Sequence, residues 1–548
     1  MTTTTLSATD STAQVPTAGP SRQVRRARTR KAARVALCST PEAQTRQLTE
    51  AILDAASVRA AAAAQAQALA QAQLAEAEVQ AWLKDMDARL DVIFAHPEQN
   101  LGEIEEQLAR SVKEPLRLLA QRAAQVKANA VACQCPDCHG QLTQQRWLSR
   151  TIHSRFGPLT IWRRYGFCPH CAEWHFPADY ALGLGRKAPA SPYVQEISAL
   201  LVSKMPVEQA VLVAERLGLD LSRCGLHQEA HRQGLKAQEW RSQFVGQLDT
   251  WEQIQQVASA AAEGLPSQPF TLVIEIDAWD IRERDDWGKT KELRKAGKKP
   301  ERWHWVCMAT VFRLDHRGRT ASDRAVITQR GYAATRLGIE ALSAQLYREA
   351  LDRGLGLAQL VLVIADGAVW IWNLAKDRFP DARQQLDLFH AEEHLWAVAR
   401  DLYGKGTPEA QAWVAPLLQQ VRDDQTVAVI ATLAQLKPRL LEAQQKKLQT
   451  QMEYFEHNAD RMKYKEVLEA REACQKGNAT EEQKQLAQRP VGSGAIESAC
   501  RQYQCRFKRT GQFWTTTGDE ALMSLETMWR NGRWVQLYPH ARSSATLN

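Results

Sequence analysis

The feature that most constrains this chain is an apolar run that ends on a carboxylate. Residues 360–365 read LVLVIA, and Asp366 and Gly367 follow them at once. A short, uninterrupted apolar run that ends in a turn predicts a strand buried on both faces of a sheet. Burying a carboxylate costs free energy unless a partner stabilises the charge. Asp366 therefore indicates a chemical site at the end of this strand.

A second acid lies in another predicted strand, residues 270–284, which read FTLVIEIDAWDIRER. Successive side chains of a strand point to opposite faces of the sheet. Glu275, Asp277 and Trp279 are therefore expected on one face, opposite Ile274, Ile276 and Ala278. Asp280 is only three residues beyond Asp277 but falls on the other face. Asp277 is the better partner for Asp366, and Asp280 is the alternative.

The order of elements around these acids predicts the fold of this region. Two further strands are expected at 302–316 and 323–334, followed by a helix at 335–354, the strand at 360–365, a helix, a fifth strand that ends near Asp387, and another helix. This is the order of an RNase H-like domain. Because the first and fourth strands of that fold are neighbours, Asp277 and Asp366 are expected side by side.

Two carboxylates placed so close together repel each other unless a cation lies between them. Hard divalent cations bind oxygen ligands, and two Mg²⁺ ions about 4 Å apart can bind both the attacking and the leaving oxygen of a phosphodiester. The two acids therefore predict a catalytic site for two Mg²⁺ ions, or Mn²⁺, that acts on a phosphodiester.

A third acid and several cations follow a glycine-rich turn in residues 489–511, RPVGSGAIESACRQYQCRFKRTG. We expect Ser493 to cap a helix that begins here, which puts Glu497 in the first helical turn as a third metal ligand. Further along the same segment, four cations are expected to bind DNA phosphates: Arg501, Arg506, Lys508 and Arg509.

Seven cations fall between residues 289 and 302, directly after the first strand of the predicted core. A basic segment beside a phosphodiester site favours a DNA-binding role over that of a solvated hairpin loop. The residues predicted to contact DNA here are Lys289, Lys291, Arg294, Lys295, Lys298 and Lys299.

Four cysteines stand in two C-x2-C pairs, Cys135 with Cys138 and Cys168 with Cys171. Two such pairs supply the tetrahedral thiolate shell of a structural Zn²⁺. Cys133, His139 and His170 are alternative ligands whose positions fit less well. The ribbon predicted around this site either only stabilises the fold or also contacts DNA through its arginines: Arg146, Arg150, Arg163 and Arg164.

The predicted fold class is multidomain α/β, with these regions in chain order. Residues 1–45 form a disordered basic tail, which contacts DNA or stays solvated. Residues 46–130 form an Ala/Gln-rich helical region, which pairs two protomers or acts as a spacer. A zinc ribbon (131–188) and a helical DNA-binding segment with the length of a helix-turn-helix (189–245) follow. The RNase H-like core occupies 265–402 and 489–535, around an α-helical insertion at 403–488 and before a tail at 536–548.

The composition favours a protein that binds a polyanion and does not cross a membrane. The net charge is +8, and the positive charge is clustered. No apolar run approaches the roughly 18 to 20 residues that cross a bilayer, and the N-terminus lacks the apolar core of a secretory signal. A cytoplasmic, nucleoid-associated location is therefore expected.

Four motifs resemble those of a known family: IEIDAWDIRERDDWG, VIADGAVWIWN, LDLFHAEEHLW and GSGAIESACR. They are similar to motifs of bacterial insertion-sequence DDE transposases, in the ISKra-type, Mutator-related branch, and the resemblance runs from about residue 130 to 535. It implies that Asp277, Asp366 and Glu497 are the DDE triad. It also implies that Asp387 and His390 form the D-x2-H signature beside the scissile phosphate. Ala278 departs from the glycine that often follows the first aspartate in related transposases.

The resemblance implies a transposase that binds terminal inverted repeats and catalyses metal-dependent DNA cleavage and strand transfer. Its partners would be transposon ends and target DNA, and joining two ends would require at least a homodimer. Three alternatives remain at this stage. They are a non-catalytic zinc-ribbon DNA-binding regulator, a DDE-fold nuclease that cuts without joining, and an H-x-x-E-H zinc metallopeptidase built on residues 390–394, HAEEH. Trp372 is predicted to be a core residue, and Trp370 is either core or a platform for an unpaired base.

Overall fold

The computed structural model describes residues 98–185, 188–263, 265, 269–286, 288–299, 301–322 and 325–539, with a few isolated positions between 62 and 95. The predicted basic tail at 1–45 and most of the helical region at 46–97 lie outside the described residues. The chain divides into two compact units, residues 1–194 and 195–548, and each is described by itself.

The first unit combines one long helix with a small antiparallel sheet. Asn100 and Glu103 form a reciprocal capping box at the start of the helix, which satisfies N–H groups that have no partner within the helix. Gln125 ties this helix to the middle strand, because its side chain accepts from Trp162 N and donates to Trp162 O, both at 2.8 Å. The sheet order is β1-β2-β3. The elements are α1 (Leu101–Ala130), β1 (Thr143–Ser154), β2 (Gly157–Cys168), β3 (Glu173–His175) and α2 (Pro177–Ala181).

Helices lead from this unit into the second one. The helices of this segment are interrupted at residues 217–222, where Gly218 adopts a left-handed φ of 75° and Ser222 caps the next helix through Gly225 N. The described helices of this segment are α3 (Pro192–Lys204), α4 (Val207–Arg216), α5 (Arg223–Gly246) and α6 (Trp251–Glu263).

A five-stranded mixed sheet lies at the centre of the second unit, with the strand order β10-β9-β4-β5-β8. β4 and β5 form a long antiparallel hairpin, whereas β9 runs parallel to β4. A small hairpin, β6-β7, separates β5 from β8 and was not predicted. The strands are β4 (Thr271–Glu283), β5 (Arg302–Arg313), β6 (Arg317–Arg319), β7 (Ala325–Ile327), β8 (Gly331–Thr335), β9 (Leu360–Ala365) and β10 (Arg383–Leu386).

Helices cover both faces of this sheet, which explains why β9 is apolar throughout. On one face, Ile274 and Ile276 belong to the same buried cluster as Leu346 and Trp372. On the other face, Val273 and Ile364 form a second cluster against which Ala495 packs. The helices between the strands are α7 (Thr290–Lys295), α8 (Ile339–Leu351) and α9 (Val369–Arg378), and α10 (Leu388–Tyr403) follows the last strand.

The rest of the second unit is helical. The predicted insertion at 403–488 contains five described helices and no described strand: α11 (Pro408–Arg422), α12 (Thr426–Leu436), α13 (Glu442–Asn458), α14 (Lys465–Gln475) and α15 (Glu481–Ala487). Three more complete the chain: α16 (Gly494–Phe507), α17 (Gly518–Arg530) and α18 (Trp534–Leu537).

One regional prediction needs correction. The tail predicted from 536 begins inside α18, and Leu537 and Tyr538 are buried, with the Tyr538 hydroxyl 3.1 Å from Gln233 Oε1.

One face of α5, in the segment predicted to bind DNA, packs against α17, because a Cβ on Gly234 would lie 2.7 Å from the backbone of Ala521. Its other face is exposed at Arg223, Lys236 and Glu239. A DNA-binding role for this segment stays a prediction.

None of the described helices combines the length and the apolar character needed to span a membrane.

Candidate active site

Asp277 and Asp366 lie on two neighbouring parallel strands, Asp277 in the middle of β4 and Asp366 directly after β9. Glu275 on β4 pairs with Ile364 on β9, so two residues further along each strand Asp277 comes level with Asp366. Asp277 Oδ1 accepts from Ala278 N at 2.6 Å, and Asp366 Oδ1 accepts from Ala368 N at 3.0 Å. The pKa of Asp277 is raised, first by burial and also by the charge of Asp366. The two carboxylates therefore repel each other in the absence of a cation.

The turn after Asp366 is fixed by close packing. Gly367 has φ 106°, and a Cβ at this position would lie 2.7 Å from Cε2 of Tyr454. The Tyr454 hydroxyl donates to the main-chain carbonyl of Asp366 at 2.8 Å. Glycine follows Asp366 because a larger residue at position 367 would be strained at this φ and would clash with the Tyr454 ring.

Asp280 lies outside this arrangement. It pairs with Trp305 on β5, beyond the last residue at which β4 pairs with β9, and its side chain leaves the opposite face of β4 from Asp277. The preference for Asp277 over Asp280 agrees with this register.

Glu497 and His390 come together from two helices. Glu497 lies in the first turn of α16, and its Oε1 is 3.9 Å from Nε2 of His390 in the first turn of α10. The side chains are 38% and 34% exposed, so both are accessible to a ligand. Glu393 Oε2 lies 3.5 Å from the other nitrogen of the imidazole, His390 Nδ1. Donor atoms of Asp387, His390 and Glu497 lie within 4.8 Å of one another, close enough to hold a metal ion.

Asp387, by contrast, is already occupied by hydrogen bonds. Its side chain is fully buried, and Oδ1 accepts from Phe389 N at 2.7 Å and from His390 N at 3.3 Å. Oδ2 accepts from the backbone N of Ser493 at 2.6 Å and from its hydroxyl at 2.5 Å. Asp387 therefore caps α10 and attaches the start of α16 to it, which positions His390 relative to Glu497.

The predicted role of Ser493 is wrong. Its side chain makes no capping bond to α16, because its hydroxyl donates to Asp387. The preceding residue must be glycine, since a Cβ on Gly492 would lie 2.7 Å from the ring of Phe389 and 3.2 Å from Asp387 Oδ1. The turn before Glu497 is thus tightly packed and not flexible.

A buried acid that sequence analysis did not single out supplies the missing cap. Glu275 Oε2 accepts from Ile496 N at 2.8 Å, although its side chain lies on β4. Burial raises the pKa of Glu275 to about 7, while the bond from Ile496 opposes this rise. The only signal in the sequence was its position on the same strand face as Asp277. Glu275 and Asp387 together hold the first turn of α16 and so place Glu497.

The predicted DNA-binding cations of the β4–β5 loop are exposed. They lie on and around the short helix α7, and Lys289 Nζ is 3.6 Å from Asp286. The other predicted cations of this loop are exposed and make no ion pair within the described residues: Lys291, Arg294, Lys295, Lys298 and Lys299.

The cations of α16 fall into two groups. Arg501 is 82% exposed, and Lys508 and Arg509 are also exposed. Arg506 is buried, and its Nε and Nη2 donate to Val202 O at 3.1 and 2.6 Å. Its predicted contact with DNA is therefore wrong: the guanidinium faces the interior, and desolvation by burial lowers its pKa to about 10.

A separate group of ligands lies in the first unit. The four predicted thiols, those of Cys135, Cys138, Cys168 and Cys171, all lie within 4.8 Å of one another and could hold a metal ion. Sulfur–sulfur distances are 3.8 Å between Cys135 and Cys171 and 3.5 Å between Cys138 and Cys168. The Cys171 N–H donates to the Cys168 sulfur and is the main reason that the Cys168 pKa falls to about 7.

The two cysteine turns have the same backbone geometry. His139 and Ala172, which directly follow the second cysteine of each pair, have left-handed φ values of 58° and 59°. Cys133 is buried beside the group but does not belong to it. Arg150 and Arg163 are unsuited to the predicted DNA contact, because both form ion pairs with the buried Asp179, at 2.7 and 2.6 Å.

The H-x-x-E-H alternative gains no geometric support. His394 stacks on the Tyr454 ring at 3.6 Å, and its Nδ1 is 2.5 Å from Gln451 Oε1. No metal-binding group among the described residues contains both His390 and His394. Trp372 is a core residue as predicted, with its indole N–H 3.0 Å from Asn458 Oδ1, and Trp370 packs partly buried against the same cluster.

In a comparison with known proteins, no protein-family model matches the chain, and no curated protein matches it.

Proposed function

We propose that this protein is a DDE-type transposase of an insertion sequence, which cleaves and joins DNA with a divalent metal in an RNase H-like core. The observation that carries the proposal is the position of Asp277, two residues beyond the last β4 residue that pairs with β9, beside Asp366, which directly follows β9, so that two like-charged carboxylates are neighbours. The strand order β10-β9-β4-β5-β8, with β9 parallel to β4, supports the RNase H-like assignment.

The donor set fits hard divalent cations. Asp277, Asp366 and Glu497 offer carboxylate oxygens, which Mg²⁺ or Mn²⁺ prefers. Burial raises the Asp277 pKa and the charge of Asp366 adds to this rise, so a cation between the two carboxylates would relieve the second effect. When bound, a pair of such ions would activate water and stabilise charge on the phosphoryl oxygens. Glu497 would add a third carboxylate from the first turn of α16, which Glu275 and Asp387 hold in place, although its donor atoms group with those of Asp387 and His390.

The residues themselves provide orientation and charge. In cleavage, water attacks the phosphodiester at the element end and leaves a 3′-hydroxyl. In strand transfer, that hydroxyl attacks a target phosphodiester, so no covalent protein–DNA intermediate is needed. His390 lies next to Glu497 and is half-exposed, which suits it to orient the water or the leaving oxygen. Asp387 acts only through His390 and α16, because all its hydrogen-bonding positions are taken.

The cysteine group fits a structural Zn²⁺. Tetrahedral ligands at about 2.3 Å from zinc are separated by about 3.8 Å, close to the distances between the paired sulfurs. Four protein ligands leave no open coordination position, so this site would stabilise the fold and would not act on substrate.

DNA would be bound by the exposed cations of the β4–β5 loop together with Arg501, Lys508 and Arg509. These cations, which have few or no acidic partners, are available to phosphates. We further propose that the protein works at its transposon ends as a homodimer or higher assembly, since two DNA ends must be joined to one target.

The test is a cleavage assay on labelled DNA that carries the element's own terminal repeats. Purified protein is incubated with and without Mg²⁺, beside Asp366→Asn. Metal-dependent nicking at the repeat boundary, absent in the variant, is the expected result. Equal loss of DNA binding and cleavage in Asp366→Asn would count against the metal-ligand assignment. Binding by the wild-type protein without any cutting would favour a DNA-binding regulator, and cutting without joining would favour a nuclease.

A further inference from the structure

A large cavity opens beside α16, next to the candidate active site. It has a volume of about 1050 Å³ and is lined by Gly494, Ala495, Ser498 and Gln502 of this helix. A smaller cavity of about 280 Å³ contains Glu497 and Arg501 and shares Gly494, Ser498 and Gln502 with the large one. The two cavities adjoin along α16, and the proposed metal ligand Glu497 lines the smaller one.

The large cavity carries an excess of positive charge. Arg317, Arg330 and Arg471 line it, and none of them has a carboxylate within ion-pair distance among the described residues. Lys204 and Arg530 also line it, but both pair with Glu526. The remaining acidic side chain on the wall is Glu275, which accepts from Ile496 N and whose charge also attracts those of Arg330 and Arg317, so the wall keeps more cations than acids.

Arg317 and Arg330 keep most of their hydrogen-bond donors free for a ligand. Arg317 uses Nη1 to donate to Gln488 O at 2.6 Å, and Arg330 makes one long bond to Ala495 O at 3.4 Å. Arg330 Nε is buried without any partner. Because a guanidinium carries five N–H groups in a plane, such arginines suit phosphate oxygens. Arg471 differs, since it donates to Ala487 O and Arg489 O and so holds the end of α15.

An aromatic ring stands in the wall of the same cavity. Phe389 lines it and is 57% exposed, although large apolar side chains are normally buried. It lies between Asp387, which positions α16, and His390, which contacts Glu497. Cations that follow a strand and an exposed aromatic that stacks on its bases are the two parts of a single-strand binding site.

We propose that this cavity binds one strand of DNA where it leaves the active site, with Arg317 and Arg330 on its phosphates and Phe389 stacked on a base. The inference rests on the proposed function, because it assigns the path of the strand that Glu497 helps to cleave. Double-stranded DNA would instead be bound by the exposed loop around α7.

Binding of a fluorescent oligothymidylate to the full-length protein, measured by anisotropy in EDTA, tests this inference. The double variant Arg317→Gln/Arg330→Gln is expected to bind at least about tenfold more weakly, and its salt dependence should fall by about 0.7 per lost phosphate contact. Phe389→Ala is expected to weaken binding about fivefold or more without changing the salt dependence. Arg471 is left intact because it supports α15.

Matched controls separate this site from general charge and from misfolding. Arg439 is exposed and lies outside the cavity, so Arg439→Gln is expected to bind as the wild type does. Arg317→Lys/Arg330→Lys keeps the charge and is expected to retain most of the affinity, with an unchanged circular dichroism spectrum in all variants. Equal weakening by Arg439→Gln, or wild-type binding by the double Gln variant, would overturn the proposal.

Two further arms identify the ligand and separate this inference from the proposed function. Displacement of the oligonucleotide by inorganic phosphate, but not by chloride at equal ionic strength, would overturn it in favour of an isolated phosphate site. Repeat cleavage that does not depend on Arg317, Arg330 and Phe389 would overturn the cavity assignment alone. Arginine-dependent binding by a protein that cuts no DNA would support the cavity and overturn the catalytic proposal.

Discussion

The cysteine group and the carboxylate site are both arrangements of metal-ligand side chains, but they are built in opposite ways. The four cysteines span residues 135–171 and come from two turns with matching backbone geometry. The carboxylates at Asp277, Asp366 and Glu497 come from two strands and a helix that are far apart in the sequence. One site is formed by local turns, whereas the other exists only once a sheet and a helix have packed together.

The cysteine group and the carboxylate site also differ in solvent exposure and in charge. Cys135 and Cys168 are fully buried, and four ligands complete a tetrahedral shell. Glu497 and His390 are more than one-third exposed, and the pKa of Asp277 is raised first by burial and then by the charge of Asp366. A closed group of ligands stabilises a fold. An open group of carboxylates that repel each other lowers the stability of the fold, and a bound cation or substrate can restore it.

The largest expected effect is on the cysteine site. Cys168→Ser should abolish metal binding and unfold the first unit, because binding of a structural Zn²⁺ contributes on the order of 10 kcal/mol to folding. Zinc content by atomic absorption and thermal unfolding measure this. Cys133→Ser is the matched control, since Cys133 is buried beside the group but outside it. Full zinc content in Cys168→Ser would contradict the four-cysteine assignment.

The second effect separates positioning from metal binding at the carboxylate site. Asp387→Asn should lower the free energy of unfolding by about 2 to 4 kcal/mol, because a buried carboxylate that accepts four hydrogen bonds is replaced by an amide. Chemical denaturation in EDTA measures it. An unchanged stability would mean that Asp387 does not hold α16, and would return it to the set of candidate metal ligands.

The third effect concerns Asp277 on β4, whose substitution is expected to raise the free energy of unfolding, whereas that of Asp387 lowers it. The folded state raises the pKa of Asp277, so this group favours folding less as pH rises from its ordinary value of 3.8 through the raised value. Asp277→Asn should therefore be as stable as the wild type at low pH and more stable than the wild type at neutral pH in EDTA. Denaturation at both pH values measures it, and a destabilised variant at neutral pH would show that the charge is needed for folding.

The smallest effect distinguishes two arginines of α16. Arg501→Gln should weaken DNA binding a few-fold and leave unfolding unchanged, because the side chain is 82% exposed. Arg506→Gln should do the reverse and destabilise by about 1 to 3 kcal/mol, since it loses two bonds to Val202 O inside the fold. Binding to repeat DNA and denaturation of each variant measure both. Equal effects on binding would contradict the division between these residues.

Prediction from sequence worked where the signal is local or periodic. The strand at 360–365, the helix at 339–351 and the helical stretch at 403–488 agree with the structure, because burial on two faces and amphipathic spacing leave direct marks in a sequence. The neighbouring position of the first and fourth strands also agrees, since few connections are compatible with that order of elements.

Prediction failed where a side chain is satisfied by a distant backbone. Arg506 was predicted to bind DNA phosphate and Ser493 to cap a helix, because a sequence shows only residue type and spacing. Their partners, Val202 O and Asp387, lie on other elements. Glu275 escaped notice for the same reason, since its partner Ile496 N belongs to a helix more than two hundred residues away.

The sequence alone predicted the cysteine pairs, the strands of the five-stranded sheet with the helices between them, and the acids Asp277 and Asp366, because each depends on neighbours along the chain. The tertiary structure decided which acids accept hydrogen bonds that hold the site together and which stay accessible. Asp387 and Glu275 carry the same carboxyl group as Asp366 and Glu497. They differ because the fold places the backbone N–H groups of Ser493 and Ile496 against their oxygens. Burial and partners across the fold, which no local pattern encodes, make that distinction.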